Sequence, residues 1–331
     1  MLANIDCFAP TLSSTSSIVL SSIYGLPPPE SKDDSLITEL EELTDHLAKS
    51  ALPGTHLVEL FPFLDIFPPW MAKWKREAFA WHNKATETFE RLLEGVRKRM
   101  ENGTNKPCFC SSLLENNERH GLTSKEIAWL ANTLLGAGAE TTAASLSFFI
   151  WAMCLYPDVM RKAQAQIDQV VGRDRLPTIA DFDNLHYIRA IVKEILRWRP
   201  VGPIGLPRST SKDDWYNGYF IPKGTLVLVN LWAMDRDPEV FPDFEEFRPE
   251  RFLDESEKVD VVPPDTLSLG HVSYGFGKRI CVGMNLANQA LFIDVACLLW
   301  AFSFGIEKIR DEQGRTNVPS QTDMIDNGVV M

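Results

Sequence analysis

The run Tyr274-Gly275-Phe276-Gly277-Lys278-Arg279-Ile280-Cys281-Val282-Gly283 sets one thiol among glycines and basic residues, directly ahead of an apolar helical stretch. Unpaired amides and the positive end of a helix dipole gather at such a point and suit an anionic sulfur. Gly277 and Gly283 permit backbone angles that other residues avoid, and they let a flat ligand lie close to the loop. Arg279 adds positive charge two residues from the sulfur. The same run would also suit a small buried cysteine that merely begins a helix. A phosphate loop does not fit. That pattern needs Ser or Thr after the lysine and a glycine five residues before Gly277, where Arg279 and Val272 stand. The dinucleotide-binding pattern fails as well.

Three further constellations precede this loop. Glu194-Ile195-Leu196-Arg197 places an acid and a base three apart, on one face of a helix. Pro249-Glu250-Arg251-Phe252 follows in a proline-rich stretch, and Ala137-Gly138-Ala139-Glu140-Thr141-Thr142 lies inside a long apolar helix. Gly136 and Gly138 each cost that helix about 1 kcal/mol relative to alanine. Gly138 and Thr141 then share a face, whereas a threonine bonded to its own helix backbone is the plainer alternative.

Taken together and in this order, the four segments resemble the cytochrome P450 superfamily. Its heme loop reads Phe-x-x-Gly-x-Arg-x-Cys-x-Gly, and only the first position differs, Tyr274 standing for phenylalanine. The resemblance covers about Ser35 to the C-terminus. It implies a mainly α protein with the P450 fold, a helical bundle around heme with small β-sheets, and a heme-thiolate monooxygenase. Its cofactor would be heme b (iron protoporphyrin IX), with Cys281 as the axial ligand of the iron and Tyr274, Gly277 and Gly283 around it. Arg279 and Arg208, which follows Pro207, would pair with the propionates. Glu140 and Thr141 would carry protons to dioxygen. Glu194, Arg197 and Arg251 would form a structural network, while Ala137, Gly138, Val201, Ile204 and Leu206 would line the substrate side.

The resemblance further implies an NADPH-dependent flavoprotein reductase as electron donor and dioxygen and an apolar small molecule as substrates. The segments around 184–252 are similar to those of fungal secondary-metabolism members. Full-length relatives sit on the cytoplasmic face of the endoplasmic reticulum membrane, and Leu57 to Met71 matches their membrane-dipping entrance loop, for which core packing is the alternative. Relative to that family the chain reads as one partial domain spanning 1–331, without the N-terminal sheet, the early helices and their Trp-x-x-x-Arg motif, and without the closing C-terminal hairpin. Two other functions are open, a non-catalytic remnant and a thiolate-heme isomerase or dehydratase; Glu140 and Thr141 argue against the latter.

The elements that must position these residues follow from spacing. Residues 1–34, with a Ser/Thr cluster at 11–17, carry only a short apolar piece at Ile18 to Leu20 and make a poorly determined start. Apolar steps of three and four predict a helix over Ser35 to Leu52, the first element of a 35–100 region of access helices and loop that ends in a charged helix from Ala72 to Met100. Lys106 to Ser111 reads as a loop. In 123–156, Thr123-Ser124-Lys125-Glu126 forms a capping box with a Leu122–Ile127 staple, and nothing interrupts the helix before Pro157. About 32 residues give a rod of roughly 50 Å. Helices are predicted at Pro157 to Val171 and, opening the 184–252 region, at Leu185 to Trp198. A hairpin or small sheet is predicted within 216–230, then an irregular Pro-rich stretch, and within 274–302 the cysteine loop and a last helix to about Phe302.

The chain has 331 residues, 45% of them hydrophobic, and a net charge of −12. Such composition makes a large core and excludes a mostly disordered chain. A nucleic-acid partner is excluded too, since a duplex needs a concentrated basic surface. The six cysteines form no disulfide framework. No uninterrupted apolar run reaches the ~18 to 20 residues of a membrane span, and the acidic start carries no signal peptide.

Overall fold

Most of the apolar residues recur at helical spacing, and the computed structural model is accordingly helical. It describes residues 8–27, 35–51, 54–256, 261–305, 309–310 and 316–317. The helices are α1 (Phe8–Tyr24), α2 (Ser35–Ala51), α3 (Leu57–Leu60), α4 (Lys73–Glu101), α5 (Phe109–Glu115), α6 (Asn117–His120), α7 (Ser124–Leu155), α8 (Pro157–Val170), α9 (His186–Trp198), α10 (Leu231–Met234) and α11 (Met284–Ala301). Antiparallel pairs join β1 (Arg208–Ser209) to β4 (Leu226–Val227), β2 (Asp214–Tyr216) to β3 (Tyr219–Ile221), and β5 (Ile309–Arg310) to β6 (Thr316–Asn317). Two compact units divide inside α7, between Ala143 and Ala144.

In the unit of residues 8–143, α1, α4 and the first half of α7 pack around Val19, Leu20, Phe89, Leu93, Val96, Ile127 and Ala131. The α7 start is the expected capping box: Thr123 N–H donates to Glu126 Oε2 (2.7 Å) and Glu126 N–H to Thr123 Oγ1 (3.3 Å). Trp129 Nε1 donates to Thr86 Oγ1 of α4 (3.0 Å), tying the two helices by a polar bond inside apolar packing.

Two expectations change here. The Ser/Thr-rich start is helix α1, because its hydroxyls bond to helix carbonyls, as Ser22 Oγ does to Ile18 O (2.9 Å), while Val19, Leu20, Ile23 and Tyr24 are buried. The expected loop at 106–111 turns at Cys108 into α5, with Cys108 as its cap: Ser111 Oγ accepts from Cys108 N–H (3.0 Å). Both Cys108 and Cys110 are free and buried.

Leu57 to Met71 contains α3 and a 3-10 turn at Pro62–Ile66. Core packing does not explain its apolar residues, since Phe63 is 69%, Ile66 84% and Trp70 75% exposed.

In the other unit, α8, α9 and α11 surround Phe149, Ile167, Ile191, Ile195, Trp198, Phe252, Phe292 and Val295. Helix α9 is buried nearly all round, Glu194 and Arg197 included, so its charges must find partners inside the protein. Asn217 and Gly218, both at positive φ (49° and 83°), make the tight β2–β3 hairpin turn expected from Asn-Gly. By length and composition α11 could cross a membrane, yet it buries Leu291, Phe292, Val295 and Leu299 in this core. The chain after β6, to which the expectation of no closing C-terminal hairpin applies, lies outside the described residues.

Candidate functional site

Gly277 at φ 61° starts a 3-10 turn, Gly277–Arg279, that leads to Cys281. The loop closes on itself, Cys281 N–H donating to the Tyr274 carbonyl (2.9 Å). Helix α11 begins only at Met284, capped by Gly283, so Cys281 precedes the helix instead of opening it. Its thiol is free and exposed. Gly283 has an ordinary φ of −82°, and a β-carbon there would make only a normal contact, 3.9 Å, with Cys281 Sγ. Nothing lies within 4 Å of a β-carbon placed on Gly275 or Gly277, which leaves the loop surface open beside the sulfur.

Tyr274, the one departure from the family pattern, donates its hydroxyl to Asn288 Oδ1 on α11 (2.8 Å). Burial, then the neighbouring Cys281, raise its phenol above the ordinary range. The ring meets His271 at 5.2 Å between centroids. Burial, and secondly Lys193, push His271 down to about 3, so it is neutral.

The loop rests on a buried polar network. Glu194 and Arg197 are both fully buried, and Arg197 Nε and Nη2 donate to the two Glu194 oxygens at 2.7 and 2.9 Å. Arg251 Nε and the Arg248 amide donate to Glu194 Oε1 at 3.1 and 2.8 Å. Arg197 Nη1 continues to the Asp235 carbonyl (2.9 Å), and the Asp235 carboxylate accepts from Val272 N–H (3.0 Å) and Ser273 Oγ (3.2 Å), directly before Tyr274. The expected trio of Glu194, Arg197 and Arg251 is thus one assembly. Asp235 and Asn288, which link it and the loop to their surroundings, had no signal in the sequence.

On α7 the Ala137–Thr142 segment exposes Ala137, half-buries Glu140 and Thr141, and buries Ala139 and Thr142. Thr141 Oγ1 donates to the Ala137 carbonyl (2.7 Å), the plainer of the two expectations for it. The open side of Gly138 faces α1: a β-carbon there would lie 3.3 Å from both methyls of Val19, so this glycine accommodates a neighbouring helix.

Arg208 sits on β1 opposite Val227 with its side chain exposed, and Arg279 is exposed as well. Ile204 and Leu206 are exposed, whereas Val201 is half-buried and packs against the core of its unit.

This donor set fits an iron that brings its own equatorial ligands. Among the described residues no group of three or more His, Cys, Asp or Glu could hold a bare ion, and a lone soft thiol beside an open, glycine-lined surface suits the axial position of a flat macrocycle. A family model described as Cytochrome P450 matches residues 5–323. The chain belongs to the cytochrome P450 family. It is 56% identical over 315 residues to cytochrome P450 monooxygenase 58 of Postia placenta, covering 95% of this chain and 59% of that protein. It is 46% identical over 318 residues to cytochrome P450 monooxygenase ARMGADRAFT_1018420 of Armillaria gallica (95% and 60%). Cytochrome P450 monooxygenase claR of Ampulloclitocybe clavipes is 40% identical over 307 residues (91% and 55%). The chain therefore spans under two thirds of the length of these curated relatives. The P450 fold and the heme-thiolate class of cofactor follow from the membership.

Proposed function

We propose that this P450 is a monooxygenase that inserts one atom of dioxygen into an apolar small molecule of fungal secondary metabolism. The carrying observation is the exposed Cys281 thiol at the end of a glycine loop that a buried Glu194–Arg197–Arg251 assembly supports. Heme b is the proposed cofactor; Cys281 would hold its iron and Arg208 and Arg279 its propionates, and when bound it would supply the iron chemistry of dioxygen activation. The chain's own part is to hold and to hand on. The network fixes the loop, and the Tyr274–Asn288 bond ties the loop to α11. Exposed Ile204 and Leu206 offer apolar contact to a substrate.

Glu140 and Thr141 manage protons. The overall reaction consumes dioxygen, two electrons and two protons, and yields hydroxylated product and water. The same electrons and protons without transfer to carbon yield hydrogen peroxide. The Thr141 hydroxyl, held against the Ala137 carbonyl, must turn to deliver a proton, with the Glu140 carboxyl as the acid beside it. The electron donor in this proposal is an NADPH-dependent flavoprotein reductase, and the site of action is the cytoplasmic face of the endoplasmic reticulum membrane, contacted through the exposed apolar residues of 57–71. An isomerase or dehydratase would need no protons delivered to dioxygen, so Glu140 and Thr141 favour the monooxygenase.

Substitution Thr141→Ala in the heme-loaded protein tests this. Heme and substrate binding should stay intact while product per electron falls and hydrogen peroxide rises, a loss on the chemical step. An unchanged product yield would contradict the role of Thr141 and move attention to Thr142.

A further inference from the structure

We infer that α1 is a positioning element for the proton-handling segment of α7, seated through Val19 in the notch at Gly138 and through Thr15 on the Ala139 carbonyl. This rests on the roles proposed above for Glu140 and Thr141. A β-carbon on Gly138 would meet Val19 Cγ1 and Cγ2 at 3.3 Å each, inside the ~3.5 to 4.0 Å of a relaxed carbon contact. Val19 has little freedom to give way. It is 5% exposed, and a β-branched side chain in a helix has one strongly preferred rotamer. One helical turn earlier, Thr15 is 1% exposed and its hydroxyl reaches the Ala139 carbonyl at 2.9 Å, with the Leu12 carbonyl of its own helix at 3.1 Å.

Thr15 and Val19 are four apart and share a face, so α1 grips α7 at two consecutive residues, Gly138 and Ala139. The next two residues are Glu140 and Thr141. Any displacement of α7 from α1 therefore carries the carboxyl and the hydroxyl with it, and proton transfer depends steeply on such placement. Ala137, where the Thr141 hydroxyl rests, is exposed. The glycine in this motif thus serves helix packing, with its neighbours doing the chemistry. A Ser/Thr-rich helix suits the task because a short hydroxyl can bond a carbonyl at close helix approach.

A size exchange tests the notch and a hydroxyl deletion tests the grip, both in the heme-loaded protein. Gly138→Ala alone should lower the melting temperature and the product per electron. Adding Val19→Ala should restore both to the level of Val19→Ala by itself. Equal damage from Gly138→Ala with or without Val19→Ala would overturn the inference, because the glycine would then serve something other than α1. Thr15→Val, which keeps the shape and removes the hydroxyl, should lower product per electron with heme uptake and the carbon monoxide spectrum unchanged, and Thr15→Ser should recover it. Normal yields for Gly138→Ala and Thr15→Val beside a reduced yield for Thr141→Ala would overturn this inference alone. A normal yield for Thr141→Ala would bring down the earlier reading instead.

Discussion

Glu194 has no contact with water and four hydrogen bonds from Arg197, Arg248 and Arg251. Removing it would leave two guanidiniums without their counter-charge, and breaking a buried pair costs ~3 to 5 kcal/mol. Total stability of a domain is only ~5 to 15 kcal/mol. Glu194→Ala is therefore expected to give no stable heme-loaded protein, measured as heme retained on purification; stable protein with altered substrate choice would contradict a structural role. Asp235 makes a separate prediction. Burial pushes its carboxyl up to about 7 from an ordinary 3.8, against the Val272 amide, the Ser273 hydroxyl, Arg197 and Arg236. A raised acid stabilises the fold fully below its unfolded pKa and loses that contribution as pH rises through its folded one, about 1.4 kcal/mol per pH unit. His271, pushed down to about 3, acts in the opposite sense, its contribution being lost as pH falls from 6.5 through that value. Comparing the wild type with Asp235→Asn isolates the acid: relative to wild type, the variant should gain stability between about pH 4 and pH 7 in denaturant titrations and stay level above that. A difference constant across that window would mean that Asp235 stays ionised throughout.

At the scale of elements, the legible parts were those with local causes. Helix α7 could be bounded from Thr123, Glu126 and Pro157 alone, and α9 from its dense apolar spacing. Within the site, the Cys281 loop and the Glu194, Arg197 and Arg251 trio were readable because residue type and order carry them. Helix α1 was not, since its buried hydroxyl finds its partner on Ala139, 124 residues away. Gly138 is similar: a glycine announces that something comes close, and only the fold says that it is Val19. Asp235 and Asn288 act through partners distant in sequence and carry no pattern of their own. The sequence of 57–71 suits membrane contact and core packing equally, and the exposure of Phe63, Ile66 and Trp70 weighs against core packing. Replacing Phe63 and Trp70 together by serine should reduce sedimentation with phospholipid vesicles several-fold without changing the melting temperature. Undiminished sedimentation would contradict membrane contact through this segment.

At the scale of the whole molecule, the acidic balance of −12 describes the surface and says little about the function, which concentrates in one loop and its supports. Family membership supplies the class of cofactor; in the proposed function this chain would add a single sulfur, Cys281, whose thiol is free and exposed. The most direct measurement is the absorption spectrum of the heme-loaded protein, reduced and saturated with carbon monoxide, for the wild type and for Cys281→Ser. The wild type should show the Soret band at the long-wavelength position that thiolate ligation produces, and Cys281→Ser should lose it. A thiolate band that survives in Cys281→Ser would contradict the assignment of Cys281 as the ligand.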